Sequence, residues 1–218
     1  MGFFSMVKID TSRADYLKAI YSCMEKEGSA SNKRITDLLE VSPSSVTEMI
    51  RRLVEAGDVY LDKKEIYLTE QGMVEVKEIL TKHRLWEIFL VRYLNYSWYE
   101  VHEEADALEH ATSDRLKDRL NELLNHPEHC PHGSEIFENH KHKDKLRLLS
   151  DLKPGDETSV HRVADDKELL EYLEKKHIGI DKKIMVLGID EYDGSMTVWC
   201  DEEEVVLAKK ATTKIMVL

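Results

Sequence analysis

Residues Ser42 to Gly57 constrain the fold more tightly than any other stretch of the chain. Ser42 offers an N-cap hydroxyl, Pro43 suits the first helical position, and Gly57 stands just past the last turn. Between them Val46, Ile50, Leu53 and Val54 recur at helical spacing and mark a buried side. Ser44, Ser45, Thr47, Glu48, Arg51 and Arg52 are thereby turned outward. A helix is expected upstream over 10–28, with caps from Asp10-Thr11-Ser12, an apolar stripe of Tyr16, Leu17, Ile20, Tyr21 and Met24, and a stop at Gly28. Asn32 is expected to cap a short second helix through Ile35, Leu38 and Leu39. Downstream, Val59-Tyr60-Leu61 and Ile66-Tyr67-Leu68 flank Asp62-Lys63-Lys64-Glu65, which reads as a hairpin.

Helix, helix, turn, capped helix, hairpin is the order of a winged helix-turn-helix. In that arrangement Ser42, Pro43, Ser44, Ser45, Thr47, Glu48, Arg51 and Arg52 face the major groove of double-stranded DNA, and Lys63 and Lys64 at the wing tip meet phosphates. A small α+β domain with a polar outer helix face would show the same pattern. The formal net charge of −12 argues against indiscriminate nucleic-acid binding but not against a few specific contacts from a symmetric dimer. Residues 1–75 carry ten Lys and Arg against thirteen Asp and Glu, so most of the negative charge lies beyond them.

The remainder of the chain is rich in metal-binding side chains. In His102-Glu103-Glu104-Ala105-Asp106-Ala107-Leu108-Glu109-His110, positions 102, 106, 109 and 110 share one helical face carrying imidazole, carboxylate, carboxylate, imidazole. His83 and Glu87 repeat the theme at i, i+4. Donors on neighbouring helices are how bundle-type metal sites are built, although a solvated Glu/His-rich face would look alike in one run. Seven of the ten histidines fall between His102 and His142. His126-Pro127-Glu128-His129-Cys130-Pro131-His132-Gly133 sets a thiol among three imidazoles, and Cys130-x-His132 lets thiolate and imidazole converge on one ion. His140 and His142 sit in a charge run and read as a solvated linker.

A long helix over 70–95 links these parts, and its second half, from Leu85 to Leu94, is apolar almost all round. That suits either a buried helix or a homodimer face. A helix over 100–112 follows, then one from Ser113 to Asn125 with Leu116, Leu120, Leu123 and Leu124 on its apolar side. After the turn signal Pro154-Gly155-Asp156, strands are expected at Thr158–Val163, Lys183–Asp190, Met196–Cys200, Glu204–Lys209 and Thr213–Val217, with a helix at Lys167–Lys175. Their even spacing suggests a small β-barrel. Three distant cysteines fit reduced thiols in a cytoplasmic protein, no apolar run is long enough to span a membrane, and the first residues are too short for a secretory signal. No phosphate-cradling glycine loop or nucleophile–base signature is visible, so an enzyme is not expected.

Taken together, the motifs resemble the diphtheria toxin repressor family of metal-dependent transcriptional regulators, and most closely its manganese-responsive branch with a third, SH3-like domain. The resemblance rests on Asp15-Tyr16-Leu17, Ser42-Pro43-Ser44-Ser45-Val46-Thr47-Glu48-Met49, His83-Arg84-Leu85-Trp86-Glu87, His102-Glu103-Glu104-Ala105-Asp106, Leu108-Glu109-His110 and Cys130-Pro131-His132-Gly133. It implies a mainly α chain with a β module: a winged helix-turn-helix over 1–75, a helical dimerisation and metal-binding domain over 76–145, and an SH3-like (FeoA-like) domain over 146–218. It implies one metal site of Asp15, Asp106, Glu109 and His110. A second takes His83, Glu87, Cys130 and His132, with an acid from the third domain, Asp165 or its neighbour Asp166. His102 matches a ligand of the iron-responsive branch. Lys18 stands where shorter manganese regulators carry Glu, and Asp106 is one methylene shorter than the usual Glu. The oxygen-rich donor set suits Mn²⁺ or Fe²⁺, with Zn²⁺ or Cd²⁺ able to occupy the sites in vitro. The expected protein is a homodimeric repressor that binds an inverted-repeat operator when metal-loaded and controls metal-uptake genes. A metal-independent winged-helix regulator and a metalloenzyme are the competing readings.

Overall fold

The structure, a computed structural model, describes residues 13–140 and 145–218. The expected caps Asp10-Thr11-Ser12, and His142, lie outside the described residues. The chain divides into two compact units, Met1–Leu80 and Thr81–Leu218, and the division falls within one helix.

The first unit contains α1 (Arg13–Glu27), α2 (Asn32–Leu39), α3 (Pro43–Ala56), β1 (Val59–Asp62), β2 (Glu65–Leu68) and the start of α4 (Glu70–Leu94). The Ser42 hydroxyl accepts from Ser45 N at 3.1 Å, Pro43 opens α3, and Gly57 closes it at φ +83°. That is a left-handed cap most cheaply filled by glycine. Ser31, not Asn32, caps α2 by accepting from Arg34 N; Asn32 is its first residue, and its amide donates to Thr47 Oγ1. β1 and β2 pair antiparallel from Val59↔Leu68 to Asp62↔Glu65, leaving Lys63-Lys64 as a two-residue turn. Leu17, Ile20, Ile35, Leu53 and Ile66 are fully buried, each contributing about 1.5–3 kcal/mol of transfer free energy. Two expected core positions are outside instead: Leu38 is 51% and Val54 39% exposed, because α2 and α3 each bury a narrower stripe, centred on Ile35 and on Val46, Ile50 and Leu53. Gly72 is required where α4 passes the Asp58 carbonyl, 2.1 Å from where a Cβ would stand.

The second unit contains the rest of α4, α5 (Val101–Ala111) and α6 (Asp114–Leu123). Then come β3 (Arg147–Leu148), a 3₁₀ turn at Leu149–Asp151, β4 (Glu157–Val163), α7 (Lys167–Lys175), β5 (Lys183–Ile189), β6 (Met196–Cys200), β7 (Glu203–Leu207), α8 (Lys209–Thr212) and β8 (Ile215–Val217). The strands form an antiparallel six-stranded sheet in the order β3-β8-β4-β5-β6-β7, with register shifts at Val160/Arg162 and Val186/Gly188 that bend it. α7 buries Leu169, Leu170 and Leu173 in the sheet core. A second core joins Leu85 and Ile88 of α4 to Leu120, Leu124, Cys130 and Ile136.

α6 corrects an expectation. Leu116 and Leu123 are 44% and 57% exposed, whereas Lys117 and Asn121 are buried beside Leu120 and Leu124. The polar pair is accommodated because each finds a partner in the 135–140 loop: Lys117 pairs with Glu138, and Asn121 and Asn139 exchange amide hydrogen bonds at 2.8 and 3.2 Å. Neither helix period nor residue polarity announces that face.

Candidate metal centre and nucleic-acid face

The centre is assembled within the second unit from α4, α5, the Cys130 loop and the start of the segment after β4. His83 and Glu87 lie one turn apart on α4, both buried. His83 Nδ1 stands 2.8 Å from Glu109 Oε2 and 3.2 Å from Asp106 Oδ1, both on α5. Its Nε2 lies 3.2 Å from Glu87 Oε1 and 3.2 Å from His102 Nδ1. His102 Nδ1 in turn meets Asp165 Oδ2 at 2.8 Å. Glu87 Oε1 reaches His132 Nδ1 at 3.3 Å, and Cys130 Sγ lies 3.9 Å from the same nitrogen.

Three overlapping sets of donors result: His83, Glu87, His102 and Asp165; Glu87, Cys130 and His132; and His83, Asp106 and Glu109. Within each set the donor atoms lie within 4.8 Å of one another. His83 therefore touches members of both sites expected from the sequence, and His102 belongs to the first set. His110 Nε2 is 3.8 Å from Glu109 Oε1. Asp15 stands in the first turn of α1, in the other unit, with Lys18 Nζ 3.6 Å away. Asp166 does different work from Asp165. It caps α7 by accepting from Leu169 N at 3.1 Å and pairs with Lys214.

The electrostatics follow from burying mixed charges together. Burial opposes charge on His83, yet Glu87 and the hydrogen bonds to Asp106 and Glu109 outweigh it and hold its pKa well above the usual value. Burial likewise opposes ionisation of Glu87, but His132 and His83 hold its pKa well below the carboxylate range. His102, desolvated but bonded to Asp165 and Glu87, is raised to about 9. His132, desolvated but facing Glu87 and Cys130, is pushed up to about 12. The carboxylates thus hold protons on imidazoles, which a divalent cation would displace.

The donor chemistry fits a metal. His132 Nε2–H donates to the Trp98 carbonyl at 2.6 Å, which aims Nδ1 at Glu87 and Cys130. An imidazole oriented by a carbonyl on its far nitrogen is the usual support for a metal-binding histidine. Trp98 had no signal in the sequence, since a main-chain carbonyl is common to every residue. Gly133, at φ +81°, is required because a Cβ there would stand 1.9 Å from the His161 carbonyl, and His132 O accepts from Val163 N at 2.9 Å. The Cys130 loop is thereby docked on β4. His140 is not a solvated linker residue: its side chain is 5% exposed and packs on His129.

On the first unit, Ser42, Pro43, Ser44, Ser45, Thr47, Glu48, Arg51 and Arg52 are all exposed along one side of α3, and Lys63 and Lys64 are exposed at the hairpin tip. Glu48 accepts from both Arg51 and Arg52, and Arg51 also binds Glu55. Arg51 and Arg52 hold the Glu48 carboxyl below its ordinary range. Pairs among exposed groups are weak, so either guanidinium can exchange its partner at small cost.

Family models match the whole of this arrangement. Residues 8–67 match the iron dependent repressor N-terminal DNA binding domain, 69–138 the iron dependent repressor metal binding and dimerisation domain, and 147–218 the FeoA domain, which is SH3-like. An uncharacterized HTH-type transcriptional regulator of Methanocaldococcus jannaschii, MJ0568, is 41% identical over 49% of this chain and 86% of its own. The iron-dependent repressor IdeR of Mycobacterium tuberculosis is 34% identical over 59% of this chain, and the match spans 56% of IdeR, little more than half its length. A solved structure of a manganese-dependent transcriptional repressor in complex with manganese superposes with a TM-score of 0.87, at 35% identity, over 95% of this chain and 99% of the other. No described helix is long and apolar enough to cross a membrane. Donor network, exposed α3 face and matched domains converge on one assignment: the chain belongs to the diphtheria toxin repressor family of metal-dependent transcriptional repressors.

Proposed function

We propose that this chain is a homodimeric, manganese-responsive repressor that binds an inverted-repeat operator when loaded and controls metal-uptake genes in the cytoplasm. The functional modules are 1–75, 76–145 and 146–218. The carrying observation is the donor network centred on the buried His83 and Glu87, in which carboxylates and imidazoles outnumber the single thiol of Cys130. Hard oxygen donors favour Mn²⁺ or Fe²⁺ over softer ions when geometry and supply decide, because raw affinity would favour Zn²⁺ or Cu²⁺. Iron is the alternative effector, in keeping with the description of the matching family models. Zn²⁺ and Cd²⁺ are expected to load the Cys130/His132 set in vitro.

His83, Glu87, Cys130, His132 and Asp165, with His102, hold one ion. Asp106, Glu109 and His110 hold the activating ion, with Asp15 as its further ligand. A bound divalent ion supplies the positive charge that the protonated imidazoles otherwise provide. Ser42 to Arg52 on α3 read the major groove, while Lys63 and Lys64 take phosphates. Metal and DNA are linked by a coupling free energy of about 1–3 kcal/mol. Tyr93 and Leu94 at the end of α4, each about half exposed, belong to the surface covered in the dimer.

The test is a gel-shift titration of labelled palindromic promoter DNA with the protein alone, with Mn²⁺, with Fe²⁺ under reducing conditions, and with EDTA. Binding that requires Mn²⁺ and is reversed by EDTA is expected. Equal binding in every condition would leave a metal-independent regulator.

A further inference from the structure

A separate donor group lies in the same loop as Cys130. We propose that His129, His140 and Glu128 form an additional binding site for a zinc ion, one that fastens the 128–140 loop. Their donor atoms lie within 4.8 Å of one another. The His129 and His140 rings are 4.7 Å apart at 60°, and His161 of β4 packs edge-on against His129 at 4.9 Å. His129 Nε2 and both ring nitrogens of His140 are buried.

Two imidazoles and a carboxylate are a common zinc set, leaving a fourth position for water. Zinc bonds of about 2.0–2.1 Å place tetrahedral donors about 3.3 Å apart. Rotation of the exposed Glu128 side chain and of the two imidazoles closes the difference. The loop is already held in place around the group. His129 bridges Glu135 in antiparallel fashion, Ile136 N donates to Glu128 O at 2.7 Å, and His140 N donates to Ile136 O at 2.9 Å. Asn139 ties the segment to Pro127 O at 2.8 Å and to Asn121. His140 Nδ1 faces Glu128 at 3.8 Å, and Nε2 faces Glu135 at 3.9 Å. The donors come from the same loop as Cys130 and His132 but share no side chain with their set, so filling one site uses no ligand of the other.

Zinc-loaded crystals of the full chain, measured above and below the zinc absorption edge, test this directly. An anomalous peak bonded to His129 and His140, retained in a Glu87→Gln/Cys130→Ser variant, is expected. Peaks confined to the His83 and Glu87 sets at saturating zinc would overturn the proposal. In solution, competition with a chromophoric chelator should show His129→Gln losing one zinc equivalent per chain relative to the parent. Since His129 is only partly buried, that variant is expected to fold. An unchanged stoichiometry in the variant would also overturn it.

Discussion

His83 Nδ1 lies 2.8 Å from Glu109 Oε2, while its other nitrogen faces Glu87 at 3.2 Å. One imidazole thus spans two carboxylates on different helices, one from each of the two ligand sets expected from the sequence. His83→Gln, which keeps the volume, should lower Mn²⁺ affinity about 10–100-fold at both sets. Isothermal titration would show two weakened steps. If only one step weakens, His83 serves one set alone.

Arg51 and Arg52 share Glu48 on the exposed side of α3. Arg51→Ala or Arg52→Ala should weaken operator binding by about 1–3 kcal/mol without changing the unfolding midpoint. Fluorescence anisotropy at fixed salt measures it. Unchanged affinity in both would remove α3 from the interface.

Asp165 meets His102, whereas Asp166 caps α7. Asp166→Ala removes the α7 N-cap and the Lys214 pair and should destabilise the second unit by about 1 kcal/mol in urea. Asp165→Ala should leave stability nearly unchanged and weaken metal binding at the set containing His102. The reverse pattern would exchange their roles.

Cys130→Ser should weaken Zn²⁺ and Cd²⁺ binding most, because those ions gain most from a thiolate. It should reduce metal-activated DNA binding only partly. Asp15→Ala should leave Zn²⁺ binding at the Cys130/His132 set intact, yet lower DNA affinity to that of the EDTA-treated protein. Complete loss in Cys130→Ser with full activity in Asp15→Ala would place the activating ion elsewhere.

Lys117 is buried, which opposes its charge, but Glu138 outweighs this and raises its pKa. The stability it adds is therefore fully present below the ordinary lysine value and lost as pH rises through the raised one. Lys117→Met should cost stability at pH 7, with the gap from the parent shrinking as pH climbs above about 10.4. A gap that stays constant in alkaline urea titrations would show that Lys117 contributes through packing alone.

Much of this protein was legible as local chemistry. The Ser42-Pro43…Gly57 helix, the β1–β2 hairpin, α7 and the strand Met196–Cys200 follow from caps, turn residues and periodicity, which act over a few neighbouring residues. The donor types at His83, Glu87, Asp106 and Glu109 were equally plain, because i, i+3 and i, i+4 spacing fixes which side chains share a helical face, and Cys130-x-His132 was plain from its short spacing in one loop. Only the tertiary structure decided who meets whom. It brought Asp165 rather than Asp166 to His102, turned Lys117 and Asn121 inward in place of Leu116 and Leu123, and buried His140 against His129. Each of those outcomes depends on a partner distant in sequence, and for Lys117 and Asn121 that partner satisfies a buried polar group. A helix or loop cannot specify such a partner alone, since the cost of burying the group vanishes only when the other side chain is in place.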